Sequence, residues 1–255
     1  MKCLVEVSNL FMRYHSLNGE TDALVNVNFS VKKGEFFSIV GPSGCGKSTL
    51  LSLIAGLIIP SSGQVLIDGK PVLGTSEKVG YMLQKDYLFE WRNIFQNVLL
   101  GLEIRKKITE ENKNYVLNLL DMYGLAEFKD KYPSQLSGGM RQRAALIRTL
   151  ASKPEILLLD EAFSALDYQT RLSVADDIYS IIKRENKTAI LVTHDIAESI
   201  SLSDRVMVLS KRPGSVKSIH NIALSVDKKS TLSSREAPEF REYFNKIWKE
   251  LDVYV

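Results

Sequence analysis

The sequence predicts an α/β protein: a nucleotide-binding core on a parallel sheet, preceded by an antiparallel β layer and interrupted by a helical subdomain. Three observations lead there. The stretch Gly41-Pro42-Ser43-Gly44-Cys45-Gly46-Lys47-Ser48-Thr49 has the form G-x-x-x-x-G-K-[ST] and lies between an apolar strand-like run and an apolar helix-like run. Two further apolar runs, 156–160 and 188–193, each end in polar residues suited to chemistry at one sheet edge. Residues 88–155 read as mainly helical and break the strand–helix alternation.

Composition sets the bounds. A chain of 255 residues with 45% hydrophobic residues can bury a sizeable core in one large or two small domains. With 33 Lys and Arg against 30 Asp and Glu, the net charge of +3 gives no strong pull toward nucleic acid or a membrane surface. The two cysteines, Cys3 and Cys45, have no neighbour at metal-ligand spacing, which fits a reducing cytoplasm and not a disulfide framework. The longest apolar stretch, 50–59, is interrupted by Ser52 and is about half the length of a bilayer span. No signal segment follows Met1. A soluble chain is expected, with any membrane role reached through a partner.

In chain order, 3–9 and 25–31 alternate apolar and polar residues, as strands of an antiparallel layer do. Between them comes Phe11-Met12-Arg13-Tyr14, where Tyr14 can stack on adenine, although a lone aromatic also serves as core. The strand 35–40 leads into the phosphate-binding loop and the helix 47–56 leaves it. Its glycines, Gly41, Gly44 and Gly46, with Ser43 and Cys45, let backbone N–H groups turn inward around phosphate oxygens, and the helix adds its positive dipole end. Lys47 supplies charge for the β- and γ-phosphates, Ser48 a hydroxyl for Mg²⁺, and Thr49 a bond to the α-phosphate. Cys45, close to that helix end and to Lys47, is expected to be an accessible, easily ionised thiol that MgATP protects. Its alternative is a small apolar residue packed behind the loop.

Beyond the loop, 60–63 is a turn, 64–67 a strand and Asp68-Gly69 a hairpin signal. Strand 79–83 ends at Gln84, whose amide can reach Mg²⁺ or the attacking water and swing away when its segment moves. Tyr87, Phe89, Trp91 and Phe95 form an aromatic run, and 109–123 reads as a helix capped by Thr109 and stopped by Gly124. Then Leu136-Ser137-Gly138-Gly139-Met140-Arg141-Gln142-Arg143 opens a second helix with free N–H groups facing an anion. Its glycine pair costs about 1–2 kcal/mol against alanine, an unexplained loss unless a ligand approaches the backbone.

The run 156–161 delivers Asp160, placed to orient a Mg²⁺-bound water, and Glu161, placed to accept a proton from the attacking water. Ser164-Ala165-Leu166-Asp167 precedes the helix 168–184, and strand 188–193 ends at His194, able to hydrogen-bond a γ-phosphate oxygen. The tail is polar and turn-like over 226–234. Pro238 then opens a helix whose stripe of Phe240, Tyr243, Phe244, Ile247, Trp248 and Leu251 is expected to pack on the domain.

In this order, the phosphate loop, Gln84, the 136–143 stretch, 156–161, Ser164 to Asp167 and His194 closely resemble the ATPase subunit of an ATP-binding cassette (ABC) transporter over about residues 3–222. The resemblance implies a P-loop NTPase core with an antiparallel layer and an inserted helical subdomain, the ABC ATPase fold. It divides the chain into 1–87 (core and phosphate loop), 88–155 (helical subdomain), 156–222 (remaining core) and 223–255 (C-terminal extension). It implies ATP and Mg²⁺ as cofactors, and Glu161, His194, Gln84 and Lys47 as catalytic residues. Ser48, Gln84 and Asp160 would hold the metal, while Tyr14, the loop and Ser137, Gly138 and Gly139 would hold nucleotide between two copies of the chain.

The implied partners are that second copy, transmembrane permease subunits and, indirectly, an extracytoplasmic solute-binding protein, at the cytoplasmic face of the membrane and without nucleic acid. Leu88-Phe89-Glu90-Trp91-Arg92-Asn93 and Ser210-Lys211-Arg212-Pro213-Gly214 are similar to the nitrate, sulfonate and taurine importers, although Glu90 stands where that group usually has proline. The alternative is a non-transport or export-coupled ABC ATPase. Repair cassettes would show a heptad insertion or zinc-binding cysteines, and ribosome-associated ones two cassettes; neither pattern is present.

Overall fold

Two sheets and their covering helices are described by a computed structural model over residues 3–16, 19–164, 166–227 and 230–251. Met1, Ala165 and the last four positions of the predicted extension lie outside the described residues. Strands β1 (Cys3–Ser16), β2 (Gly19–Lys32), β4 (Ser62–Ile67) and β5 (Lys70–Pro71) make an antiparallel sheet in the order β2-β1-β4-β5. Strands β1 and β2 run far beyond the alternating stretches. Register shifts lie between Val7 and Leu10 and on both sides of Met12, and Asn9 and Asn26 take φ of 47° and 49°. Each bulge swaps the faces, so the alternation is lost while the pairing continues, and Phe11 to Tyr14 belong to β1.

The second sheet has the order β10-β9-β3-β8-β7-β6, formed by β3 (Phe36–Val40), β6 (Val79–Met82), β7 (Ile156–Asp160), β8 (Thr188–Thr193), β9 (Arg205–Leu209) and β10 (Val216–Asn221). All neighbours are parallel except β9 and β10. Strands β3, β7 and β8 are buried from end to end, as their unbroken apolar runs require.

Helix α1 (Lys47–Ile54) and the antiparallel sheet cover one face, through Leu50, Ile54, Val27 and Leu158 among others. The other face carries α2 (Ile94–Ile104), α3 (Glu110–Met122), α4 (Gly138–Ala151) and α5 (Tyr168–Arg184), whose buried Val98, Leu119, Ile147 and Ile178 join Leu157 and Leu159 in one core. The helical insertion therefore packs onto the sheet instead of forming a core of its own. Its caps follow the sequence: Asn93 has a capping box with Gln96, Thr109 accepts from the Asn112 N–H and Ser137 from the Met140 N–H.

Helix α6 (Ile196–Leu202) follows β8, and the tail supplies α7 (Thr231–Glu236) and α8 (Phe240–Glu250). Helix α7 was hidden by polar composition; its signal is the Ser230–Ser233 capping box, and Asp176 on α5 accepts from the Thr231 N–H at 2.6 Å. Helix α8 begins two residues after Pro238 and seats Ile247 with Val40, Ile200, Val206 and Val208 in a third core. No helix among the described residues is long and apolar enough to cross a membrane.

Candidate active site

The loop from β3 to α1 turns on Gly44 (φ 74°) and Gly46 (φ 104°), values that side chains disfavour. At Gly46 a Cβ would also meet Leu24 Cδ2 at 2.7 Å. Lys47 laces the loop from within, its Nζ donating to the carbonyls of Gly41 at 2.7 Å and Pro42 at 2.9 Å.

The expectation for Cys45 is overturned. Its side chain is 1% exposed, with Sγ 4.0 Å from Lys47 Nζ, and burial pushes its pKa up in spite of that ammonium. The thiol points behind the loop: a Cβ at Gly41 would come within 2.7 Å of Sγ. Neither Gly41 nor Cys45 lines the cavity in front of the loop.

That cavity, about 460 Å³, is walled by Ser43, Gly44 and Gly46 through Thr49, by Tyr14 of β1, and by Ala23, Glu161, His194 and Arg212. Tyr14 is 41% exposed and shares a hydroxyl contact of 3.2 Å with Thr49. Arg212 was not picked out as a site residue by the sequence.

Asp160, at the end of β7, accepts from the Ser48 hydroxyl and from the Tyr81 hydroxyl, each at 3.1 Å. Burial pushes the Asp160 pKa up, and those two bonds pull it back. Tyr81 is raised as well, first by burial and then by the Asp160 charge. The sequence missed Tyr81; its only signal is a polar tip within the apolar strand β6.

Glu161 takes φ 46°, an uncommon value for a residue with a side chain, while its N–H still donates to the Val192 carbonyl at 2.8 Å. The backbone thus turns the carboxylate into the cavity. Glu161 Oε2 accepts from Gln84 Nε2 at 3.1 Å and lies 3.4 Å from His194 Nδ1. Gln84 is joined to Glu161 and Ser164, not to the Ser48–Asp160 pair.

The donor set fits a small hard cation. Ser48 and Asp160 offer adjacent oxygens beside the phosphate loop, and among the described residues no cluster of three His, Cys, Asp or Glu makes an all-protein cage. Mg²⁺ normally takes one or two protein oxygens and completes its shell with phosphate and water.

Ser137 and Gly138 are exposed and do not reach this cavity; Gly138 instead lines a smaller one, about 250 Å³, with Gln84 and Arg141. The second glycine has a packing reason, since a Cβ at Gly139 would meet Thr170 Cγ2 of α5 at 2.6 Å. Only Gly138 keeps its backbone open. Arg141 Nε pairs with Asp86 at 3.1 Å, and Arg148 donates to the carbonyls of Asp86 and Tyr87, tying α4 to the segment after Gln84.

Residues 24–164, more than half the chain, match the ABC transporter family. YtlC of Bacillus subtilis, an uncharacterized ABC transporter ATP-binding protein, is 49% identical over 248 residues, covering 97% of this chain and 95% of its own. The chain belongs to the ABC transporter ATPases. A taurine import ATP-binding protein, TauB of Roseobacter denitrificans, is 37% identical to this ABC ATPase over 252 residues, 96% of this chain and 94% of its own. Among solved structures, the dimeric ATP-binding cassette MJ0796 in a post-hydrolysis state with ADP and Pi superposes with a TM-score of 0.74 at 32% identity, covering 86% of this chain and 99% of that one. The fold is that of an ABC ATPase cassette, and the protein is an ATP-binding ATP hydrolase related to import ATPases.

Proposed function

We propose that this ABC ATPase hydrolyses MgATP between two copies of itself. In doing so it drives import of a small solute of the nitrate, sulfonate or taurine type through separate permease subunits at the cytoplasmic face, supplied by an extracytoplasmic binding protein. One observation supports the two-copy reading best: Lys47, Ser48, Glu161 and His194 share one cavity, while the exposed helix end at Ser137 and Gly138 lies outside it. A second copy related by a twofold axis could bring that helix end over the cavity. The dimeric state of the similar cassette MJ0796 agrees with this.

In this reading Lys47 exchanges the carbonyls of Gly41 and Pro42 for β- and γ-phosphate oxygens, and the loop N–H groups cradle the phosphates. Ser48 and Asp160 would hold Mg²⁺, and Gln84 would join them if its amide left Glu161; the metal would supply positive charge against the phosphates. Glu161 takes the proton of a water whose oxygen bonds to the γ-phosphorus. The bond from that phosphorus to the bridging oxygen breaks, and ADP leaves with the electron pair. His194 hydrogen-bonds a γ-phosphate oxygen. Gln84 and His194 both reach Glu161 Oε2, so movement of the Gln84 segment alters the base itself. Exposed Trp91, stacked on Phe89 with centroids 4.7 Å apart, offers the permease an aromatic contact near that segment.

Mixing two variants tests the composite site. Ser137→Arg and Lys47→Ala each disable one side, and together they are expected to form an MgATP-dependent mixed dimer with one intact site; Glu161→Gln alone is expected to dimerise stably with MgATP. Size-exclusion chromatography showing monomers in both experiments would reject the sandwich.

A further inference from the structure

The loop Ser210 to Gly214 between β9 and β10 takes no part in the hydrolytic arrangement, yet it is tied down on three sides. Ser210 closes it, its N–H donating to the Ser215 carbonyl and its hydroxyl accepting from the Ser215 N–H, both at 2.9 Å. Gly214 attaches it to the free edge of β2, donating to the Ala23 carbonyl and accepting from the Val25 N–H at 2.9 Å each. The same glycine lies flat on the back of the phosphate loop, where a Cβ would come within 2.1 Å of the Cys45 carbonyl oxygen.

Arg212 projects from this fixed base. Its Nε donates to the Asp22 carbonyl at 3.3 Å, continuing the attachment to β2, and its guanidinium forms part of the wall of the 460 Å³ cavity. The neighbouring acids are already taken. Arg13 binds the Asp22 carboxylate at 2.5 Å and Glu20 at 2.6 Å, and among the described residues no acidic side chain pairs with Arg212. Among the described residues, an exposed guanidinium without a counter-ion thus borders a cavity built for a polyanion, on the side of Tyr14 and Ala23.

We propose that Arg212 is a nucleotide-binding residue of the same protomer, its guanidinium holding the adenosine half of the nucleotide at the ribose, beside Tyr14. The proposal rests on the cavity being the nucleotide site. Lys47 and the loop N–H groups serve the β- and γ-phosphates; Arg212 serves the portion that ATP and ADP share.

The test is a set of binding titrations with Mg²⁺, in which ATP, ADP and inorganic tripolyphosphate each displace a fluorescent trinitrophenyl-ATP from wild type, Arg212→Ala and Arg212→Lys. Arg212→Ala is expected to weaken ATP and ADP by the same factor, about tenfold, as for loss of one charge-assisted contact. Arg212→Lys is expected to recover most of that loss, and the tripolyphosphate affinity is expected to stay the same. Both variants are expected to melt with the wild type, because the side chain is exposed. Equal ATP affinity in Arg212→Ala and wild type overturns the proposal, as does a matching loss for tripolyphosphate, which would place the charge on the phosphate chain. Failure of the wild type to bind the fluorescent nucleotide at all would instead overturn the reading of the cavity.

Discussion

Glu198, one turn after His194, gives a stability prediction with a definite sign. It is 5% exposed at the start of α6, where its N–H is capped by Asp195 at 3.0 Å. Burial pushes its carboxyl up from 4.5 to about 7, helped by the Asp195 charge and opposed by the Thr193 hydroxyl, Arg171 and Arg235. The folded state therefore binds the proton more tightly than the unfolded chain. Its stability falls as pH rises from about 4.5 to 7 and stays low above, by an amount of about 3 kcal/mol. Glu198→Gln keeps the shape and removes the charge, so it should be more stable than wild type by less than about 1 kcal/mol at pH 5 and by up to about 3 kcal/mol at pH 8. For a chain of this size that is roughly 6–12 °C in Tm. Circular dichroism melts of both proteins at pH 5 and 8 measure it. A difference that does not change with pH would refute the reasoning. So would a glutamine variant that loses stability at pH 8, which would show an ionised Glu198 paired with Arg171 and Arg235, whose buried Nε atoms have no hydrogen-bond partner among the described residues.

Trp91→Ala removes a 73% exposed ring and should leave the basal ATPase rate within about twofold while lowering transport in reconstituted vesicles by about tenfold or more; equal losses would assign the ring to the ATPase core. A maleimide should label Cys3 before Cys45 in the native protein and reach Cys45 only after unfolding, with no effect of MgATP on the order; rapid native labelling of Cys45, detected by mass spectrometry, would contradict its burial.

The parts of the site that a short stretch of chain determines could be read from the residues. Glycines at 44 and 46 need backbone angles that the loop motif implies, and Asp160 and Glu161 had to emerge where an unbroken apolar strand ends. The approach of Ser48 to Asp160 across 112 residues followed only once β3 and β7 were placed in one parallel sheet. What escaped depends on the third dimension. Which way Cys45 faces is set by Gly41 and Gly214 behind the loop, and the need for Gly139 is set by Thr170 on another helix. Tyr81 and Arg212 carry no spacing signal, since their partners lie on strands distant in the chain. Strands β1 and β2 outran their alternation because bulges reset it, and α7 was concealed because serine-rich segments serve caps and turns alike.

Connections between edge strands are ordinarily where a chain tolerates added length, because such loops face solvent with their backbone unattached. The β9–β10 connection is an exception: Gly214 is wedged between the Cys45 carbonyl and the edge of β2. Extra residues there would pry the antiparallel sheet from the phosphate loop and tilt both walls of the cavity. A fluorophore, purification tag or fused domain inserted into this cassette belongs instead near Lys106 and Lys107, where the chain passes exposed between α2 and α3 and no wall of the cavity depends on it.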